Sequence, residues 1–349
     1  MSLSKPIRRK LDLKNGRVDL SHGAGGRAMG QLIEEVFHAA FDNDWLRAGN
    51  DQAAFDVTAG RMVMTTDAYV VSPIFFPGGD IGSLAVNGTI NDIAMAGARP
   101  LYLSASFVIE EGFPFADLKR VAASMGEAAR AAGTPIIAGD TKVVERGKAD
   151  KVFVSTAGVG VAPPDLNLSS DAARSGDIAI VSGTMGDHGV AVMSKRENLD
   201  FETEILSDTA ALHGLVAEMV KAAGRGLRVM RDPTRGGLAA TLNELAHQSG
   251  VGFSIEEAAI PVRPEVAAAC EFLGLDPLNV ANEGKLVAIV APEFAVALLA
   301  AMRAHPLGAG SAIIGQAVDD PNRFVEMRTA FGGGRIVDWL SGEQLPRIC

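Results

Sequence analysis

APPDLNLSSDAARSG, residues 162–176, divides the 349-residue chain. Its two prolines, three serines and interspersed Asp and Asn resist both helix and strand, so it marks a domain boundary between a strand ending at Val161 and another over Asp177–Ser182. Outward toward the N-terminus, Arg61–Thr66, Leu101–Val108 and Val152–Val161 are β-branched or alternating and predict strands. Helical patterns separate them. One covers Asp80–Ala96, and a second runs over Phe115–Ala132, with Pro114 at its start and Gly133 as its stop. Outward toward the C-terminus the alternation repeats, with helices over 209–223, 235–248, 264–273 and 292–304 and strands over 251–255, 285–290 and 311–318. Each half therefore reads as an α+β domain that packs helices on one face of a mostly antiparallel sheet. The expected organisation is an N-terminal arm and glycine-rich loop over 1–44, a first domain over 45–162, a second over 173–330 and a mobile tail over 331–349.

Composition narrows the functional classes. The net charge is −10, which argues against a dedicated nucleic-acid binder. No apolar run approaches the length that crosses a bilayer, and the basic N-terminus lacks the apolar stretch of a secretory signal. With only two cysteines, Cys270 and Cys349, the chain cannot supply a disulfide framework, a four-cysteine zinc site or an iron–sulfur cluster by itself. The expected location is the cytoplasm.

Several constellations carry chemistry. Ser-His-Gly-Ala-Gly-Gly-Arg (21–27) is a glycine-rich turn whose amides, with Arg27, suit phosphate oxygens; it has neither P-loop nor dinucleotide-fold spacing, and a flexible hinge explains it equally well. Asp51, Asp67, Asp92 and Asp140 each sit beside Gly, Thr or Asn. Taken singly each is an N-cap or turn residue; four in one half point to hard oxygen ligands for Mg2+ bridged to a nucleotide, with Asn87 and Asn91 on one helix face nearby. Arg231-Asp-Pro-Thr-Arg-Gly-Gly-Leu (231–238) feeds a helix N-terminus where Arg231 and Arg235 would strengthen anion binding, and the paired glycines suggest a close backbone approach. Gly183-Thr-Met-Gly-Asp-His-Gly (183–189) has the look of another backbone-approach loop, with His188 a hydrogen-bonded loop residue before it is a ligand. Glu283 is an acid/base candidate if buried and a surface-turn residue if not.

Cys270 falls in a helical apolar pattern and reads as inert core. Cys349 is the last residue. It is not a prenylation motif, where the Cys stands fourth from the end, and a thiol on a mobile tail suits a swinging nucleophile or carrier.

Together, the glycine-rich turn, Asn-Asp-Ile-Ala-Met-Ala-Gly-Ala (91–98), Ala-Gly-Asp-Thr-Lys-Val-Val (138–144), Arg-Asp-Pro-Thr-Arg-Gly-Gly-Leu, Asn-Glu-Gly-Lys (282–285) and the terminal Pro-Arg-Ile-Cys resemble the hydrogenase-maturation HypE family. That family lies within the aminoimidazole-ribonucleotide-synthetase (PurM-like) superfamily. The internal motifs are shared across the superfamily; the Pro-Arg-Ile-Cys ending is specific. The resemblance implies a two-domain PurM-like architecture and an ATP-dependent carbamoyl dehydratase. In such an enzyme the partner HypF loads a carbamoyl group onto Cys349, ATP with Mg2+ drives dehydration to an S-thiocyanate, and the cyano group passes to iron on a HypC–HypD complex. It also implies a homodimer paired through the N-terminal sheets with ATP near that interface. Carried onto this chain, it assigns Asp51, Asp67, Asp92 and Asp140 to magnesium, and Gly25, Gly26, Arg27, Asn91, Gly139, Thr141, Arg231 and Arg235 to the nucleotide. Lys142 would neutralise phosphate or act at the carboxamide, and Glu283 would be the base.

Other members of the superfamily compete with this reading. Selenophosphate synthetases carry a reactive Cys or selenocysteine near the glycine loop, whereas residues 1–269 here contain no Cys. Thiamine-monophosphate kinases and the purine enzymes leave Cys349 without a role. A non-enzymatic ligand carrier would need no acidic, nucleotide-type site.

Overall fold

A computed structural model describes residues 10–24, 26–48, 52–56, 59–199, 204–339 and 347–349. The strands are β1 (Arg61–Tyr69), β2 (Phe75–Phe76), β3 (Gly79–Asp80), β4 (Arg99–Glu110), β5 (Ile136–Val144), β6 (Val152–Ala162), β7 (Ile178–Val181), β8 (Leu227–Arg231), β9 (Gly252–Glu256), β10 (Val287–Val290), β11 (Ala312–Val318), β12 (Val325–Arg328) and β13 (Gly334–Val337). They form a four-stranded sheet in the order β1-β6-β4-β5 and a seven-stranded sheet in the order β13-β12-β9-β11-β7-β10-β8. Neighbours are antiparallel except the pairs β4/β5 and β9/β12. β2 and β3 form a small hairpin of their own.

In the first half, helices Ile81–Met95 and Phe115–Ala131 supply the core for one face of the four-stranded sheet. Asp80 starts the first helix by accepting from the Gly82 and Ser83 amides at 2.8 and 3.1 Å, and Ser83 closes the capping box in return. The two helices pack so closely that a Cβ on Gly82 would lie 2.3 Å from the Val121 carbonyl, so glycine is required there. Away from those two helices, on the open face, the short helix Asp44–Ala48 sets Trp45 against Tyr102 with ring centroids 5.2 Å apart, and on the edge strand β1 Met62 and Met64 are exposed.

The second half follows the expected alternation with helices His213–Ala223, Gly237–Ser249, Pro264–Leu273 and Pro292–Ala304. A further helix, Asp187–Arg196, follows the Gly183–Gly189 loop. Three strands of this half lie where the sequence gives no strand pattern: β8, β12, and β13 inside the stretch expected to be tail. No helix among the described residues is long and apolar enough to cross a membrane.

Candidate active site

The chain end is docked where the sequence suggests a free tail. The Val70 amide donates to the Cys349 carbonyl and the Ser72 amide to the Arg347 carbonyl, both at 3.1 Å, so the last residues continue the sheet edge just beyond β1. Arg196 Nη2 donates to the Arg347 carbonyl at 2.8 Å, and Arg347 Nη1 reaches Asp150 Oδ2 at 2.6 Å. Ile348 is buried in the first domain's core. These contacts carry the Cys349 thiol inward, where Arg235 Nη2 lies 3.9 Å from Sγ. Burial, and then the nearby Glu283, push the thiol up to about 11, with Arg235 opposing them.

Carboxylates crowd around that thiol. Glu283 is buried, its Oε1 has no hydrogen-bond partner, and its carboxyl is held well above the usual range by burial and then by Asp232, Asp208, Asp67 and Asp92. Burial and the neighbouring Asp92 raise Asp232 to about 7. Asp92 is raised by burial and by Asp67, against a 2.8 Å hydrogen bond from the Thr65 hydroxyl. Burial, with Asp67 and Glu283 adding to it, lifts the Tyr69 phenol well above its ordinary value. The Glu283 amide donates to Asp208 Oδ1 at 2.9 Å, and Asp208 Oδ2 faces Lys285 Nζ at 3.2 Å. A cleft of about 420 Å³ opens beside this cluster, with Thr65, Asp92, Arg231, Asp232, Thr234 and Arg235 in its wall.

Several residues assigned from the sequence lie elsewhere or are occupied. Asn91, expected beside the nucleotide, is used up by the protein. Its Nδ2 donates to the Ala210 and Glu283 carbonyls at 3.0 Å each, and its Oδ1 accepts from the Leu212 amide at 2.8 Å. Asp140 does not join Asp67 and Asp92. Strand pairing places Asp67, Thr156, Ala105 and Gly139 in one row across the sheet, and Ala68, Ser155, Ser106 and Asp140 in the next. Side chains alternate between faces, so Asp140 points to the open face, and three strand spacings of about 4.8 Å separate the two rows' ends. There Asp140 pairs with Lys142 at 3.0 Å. No single ion reaches both Asp67 and Asp140 of one chain. Gly139 and Thr141, with Asp140, line a smaller groove of about 190 Å³ against Met29, Ile33 and Phe37 of the N-terminal helical run. Gly26 caps the helix that Arg27 begins. Asp51 and Gly25 lie outside the described residues.

The other motifs resolve into packing. Arg231 pairs with Glu244, while Arg235 points to the thiol. Gly237 has φ of 63°, and a Cβ there would sit 2.5 Å from the Leu278 carbonyl, so the paired glycines serve the protein's own backbone. In the Gly183–Gly189 loop, the Gly186 amide donates to Asn282 Oδ1 at 2.7 Å and Asp187 is held by Arg263 at 2.7 Å. His22 is a buried partner in its own turn's capping box, and Gly23 packs on Val143. Cys270 is buried, as its helical pattern predicts. Asp208 and Tyr69 carried no signal in the sequence, because each enters the cluster through long-range contacts; Lys285 stood in the Asn-Glu-Gly-Lys motif without being singled out. Asp232 stood inside a recognised motif without being singled out.

Residues 49–162 match the family "AIR synthase related protein, N-terminal domain", and residues 174–328 match its C-terminal counterpart. The chain is 76% identical over 345 residues to the carbamoyl dehydratase HypE of Rhizobium leguminosarum bv. viciae, covering 99% of both proteins. It belongs to the HypE family. A crystal structure of the maturation protein HypE in complex with ATP superimposes with a TM-score of 0.91 at 50% identity, covering 95% of this chain and 99% of that one. A HypE–HypF complex structure matches with a TM-score of 0.78 at 50% identity, covering 88% of this chain and 99% of that one. These relatives share both domains with this chain.

Proposed function

We propose that this HypE chain dehydrates a carbamoyl group carried on its own C-terminal thiol to a thiocyanate at the expense of ATP, within hydrogenase maturation. The observation that carries this reading is the seated chain end: the Cys349 sulfur lies beside Arg235, where the charge of buried Glu283 acts on it. The names of the family's curated relatives, and the solved complexes with ATP and with HypF, support it.

In balance, R–S–C(=O)–NH2 and ATP give R–S–C≡N, ADP and phosphate. The carbonyl oxygen leaves on phosphate, and both N–H protons leave the nitrogen. The γ-phosphoryl group, carried with Mg2+, supplies the leaving group that an amide oxygen lacks. The residues fit a magnesium ion in part. Among the described residues no three His, Cys, Asp or Glu side chains already form a metal site, but Asp67 raises the half-buried Asp92 carboxyl, a repulsion that a divalent cation held by the two would relieve. One or two carboxylates, with phosphate oxygens and water completing the shell, are how Mg2+ is commonly held.

The chain's own residues do the rest. Asn91, fixed by three backbone contacts, holds the Glu283 main chain in place. Neutralising Asp67 and Asp92 removes two of the charges that raise Glu283 and moves it toward accepting the amide protons. Arg235 faces the reacting sulfur, and burial keeps water from an activated carbon. Because Asp140 and Lys142 stand on the open sheet face, we assign them, with Gly26 and Arg27, to the nucleotide site of a second copy docked on that face. The active form is then a homodimer. HypF is the donor of the carbamoyl group, and HypC–HypD the acceptor of the cyano group.

Intact mass spectrometry tests this reading. After carbamoylation by HypF, addition of Mg2+ and ATP should remove one water from the Cys349 peptide. A carbamoylated protein whose mass is unchanged by ATP would overturn it.

A further inference from the structure

His188 is fully buried, and its ring bridges the chain end to the rest of the second domain. Nε2 lies 2.9 Å from the Ile348 carbonyl. A carbonyl only accepts, so Nε2 carries the proton and Nδ1 bears the lone pair. The Ser207 hydroxyl, 2.8 Å away, therefore donates to Nδ1, and the Ser207 oxygen accepts from the Thr209 amide at 3.1 Å. The relay fixes one tautomer, and the edge of the Phe76–His188 pair, with ring centroids 5.4 Å apart, fixes the plane. Burial pushes the imidazole down, in keeping with a neutral ring.

The other contacts to the chain end have the same character. Val70 reads the Cys349 carbonyl, and Ser72 and Arg196 read the Arg347 carbonyl, while Arg196 Nε is anchored on the Ser72 carbonyl at 2.7 Å. All four address main-chain oxygens. None depends on what the sulfur carries, so an empty thiol and a loaded one would take the same seat.

We propose that His188 is a positioning residue for the reacting sulfur: with Arg196 as a second arm, it clamps the backbone of residues 347–348 and sets the fraction of time that Cys349 is seated. Its value to catalysis rests on the function proposed above; the clamp itself does not. The seated thiol is half-buried and its backbone is pinned on both sides, so loading by another protein's active site is favoured when the clamp opens and dehydration when it closes.

Alkylation of the full-length protein by iodoacetamide, followed on the two cysteine peptides by mass spectrometry, tests the clamp. His188→Ala should raise the Cys349 rate about tenfold, the worth of one buried hydrogen bond in the seated-to-released ratio. His188→Gln, whose amide can donate from the Nε2 position, should stay within about threefold of the parent protein. Arg196→Ala should raise the rate severalfold and serves as the independent arm if His188→Ala does not fold. Buried Cys270 reports global opening in the same sample. Cys349 rates unchanged in both alanine variants, or rising only in step with Cys270, would overturn the proposal. Faster Cys349 alkylation in a protein that shows no ATP-driven loss of water would leave the clamp standing and remove the proposed function.

Discussion

Replacing Asn91 separates two roles that the sequence alone could not. If Asn91 braces the protein, Asn91→Ala strips partners from the Ala210 and Glu283 carbonyls and the Leu212 amide, in a site where Asn91 itself is 1% exposed. Each abandoned buried group costs about 1–3 kcal/mol, and partial rescue by water keeps the total near ~3–5 kcal/mol. For a domain-sized unit, a loss of that order lowers Tm by about 10 °C. The Glu283 backbone loses one anchor as well, and a misplaced catalytic group costs about 100-fold in kcat. Affinity for ATP should be nearly unchanged, because both amide N–H groups are already donated to main-chain carbonyls and the oxygen is turned to the Leu212 amide. Scanning calorimetry gives the first quantity, and calorimetric titration with ATP gives the last. Asn91→Asp keeps the size and the acceptor but loses both donated bonds, so it should fall between the parent and Asn91→Ala in stability only if its carboxyl protonates. A Tm within about 2 °C of the parent, together with a tenfold weaker Kd for ATP, would refute the brace and return Asn91 to the nucleotide.

Cys349→Ser should fold and bind ATP as the parent does yet accept no stable carbamoyl group, which intact mass after incubation with HypF will show. Lys285→Met leaves Asp208, whose side chain is 4% exposed, without its cation, and urea unfolding should show a loss of about 3–5 kcal/mol. The pH dependence of Asp232 has a definite sign. Its carboxyl ionises near 3.8 in the unfolded chain and at about 7 in the fold, so between those values only the unfolded chain sheds the proton and stability falls as pH rises. Asp232→Asn should therefore gain Tm relative to the parent steadily from about pH 4 to about pH 7 and no further above that; parallel Tm curves from pH 4 to 8 would count against the buried, acid-crowded position.

The elements that were legible are those whose own side chains make the core. Phe115–Ala131 shows its buried stripe (Leu118, Val121, Met125, Ala129) in the sequence, and Pro114 and Gly133 bracket it. β5 was not, because Gly139, Asp140, Thr141 and Lys142 read as a loop and become a strand only by pairing with β4. β12 and β13 are likewise made by their partners, the second lying after Gly332 and Gly333, which read as an unstructured stretch. The acids divide in the same way. Asp67 and Asp92 were found because they are adjacent to turn residues, but their separation from Asp140 depends on strand register and face, which spacing along the chain does not encode. Asp232 matters because burial beside Asp92 changes its chemistry, and that burial comes from residues far away in the chain.

Under the proposed reaction, the state of the thiol in its seat explains why the chain end must move. Raised to about 11, seated Cys349 is almost wholly protonated near neutral pH and a poor nucleophile. The same enclosure suits the second half of the reaction, since dehydration of a carbamoyl group already on sulfur needs no thiolate; it needs a nearby proton acceptor and the exclusion of water. Glu283 becomes that acceptor as neutralisation of Asp67 and Asp92 brings its raised carboxyl down, and burial excludes the water. One sulfur therefore faces incompatible demands, solvent and a thiolate while it is loaded, enclosure and no thiolate while its cargo is dehydrated. A rigid site could meet only one of them. A chain end seated by bonds to its main-chain oxygens, by Arg347 on Asp150 and by buried Ile348 meets both in turn, because those contacts are indifferent to whether the sulfur is empty or carries the group to be dehydrated.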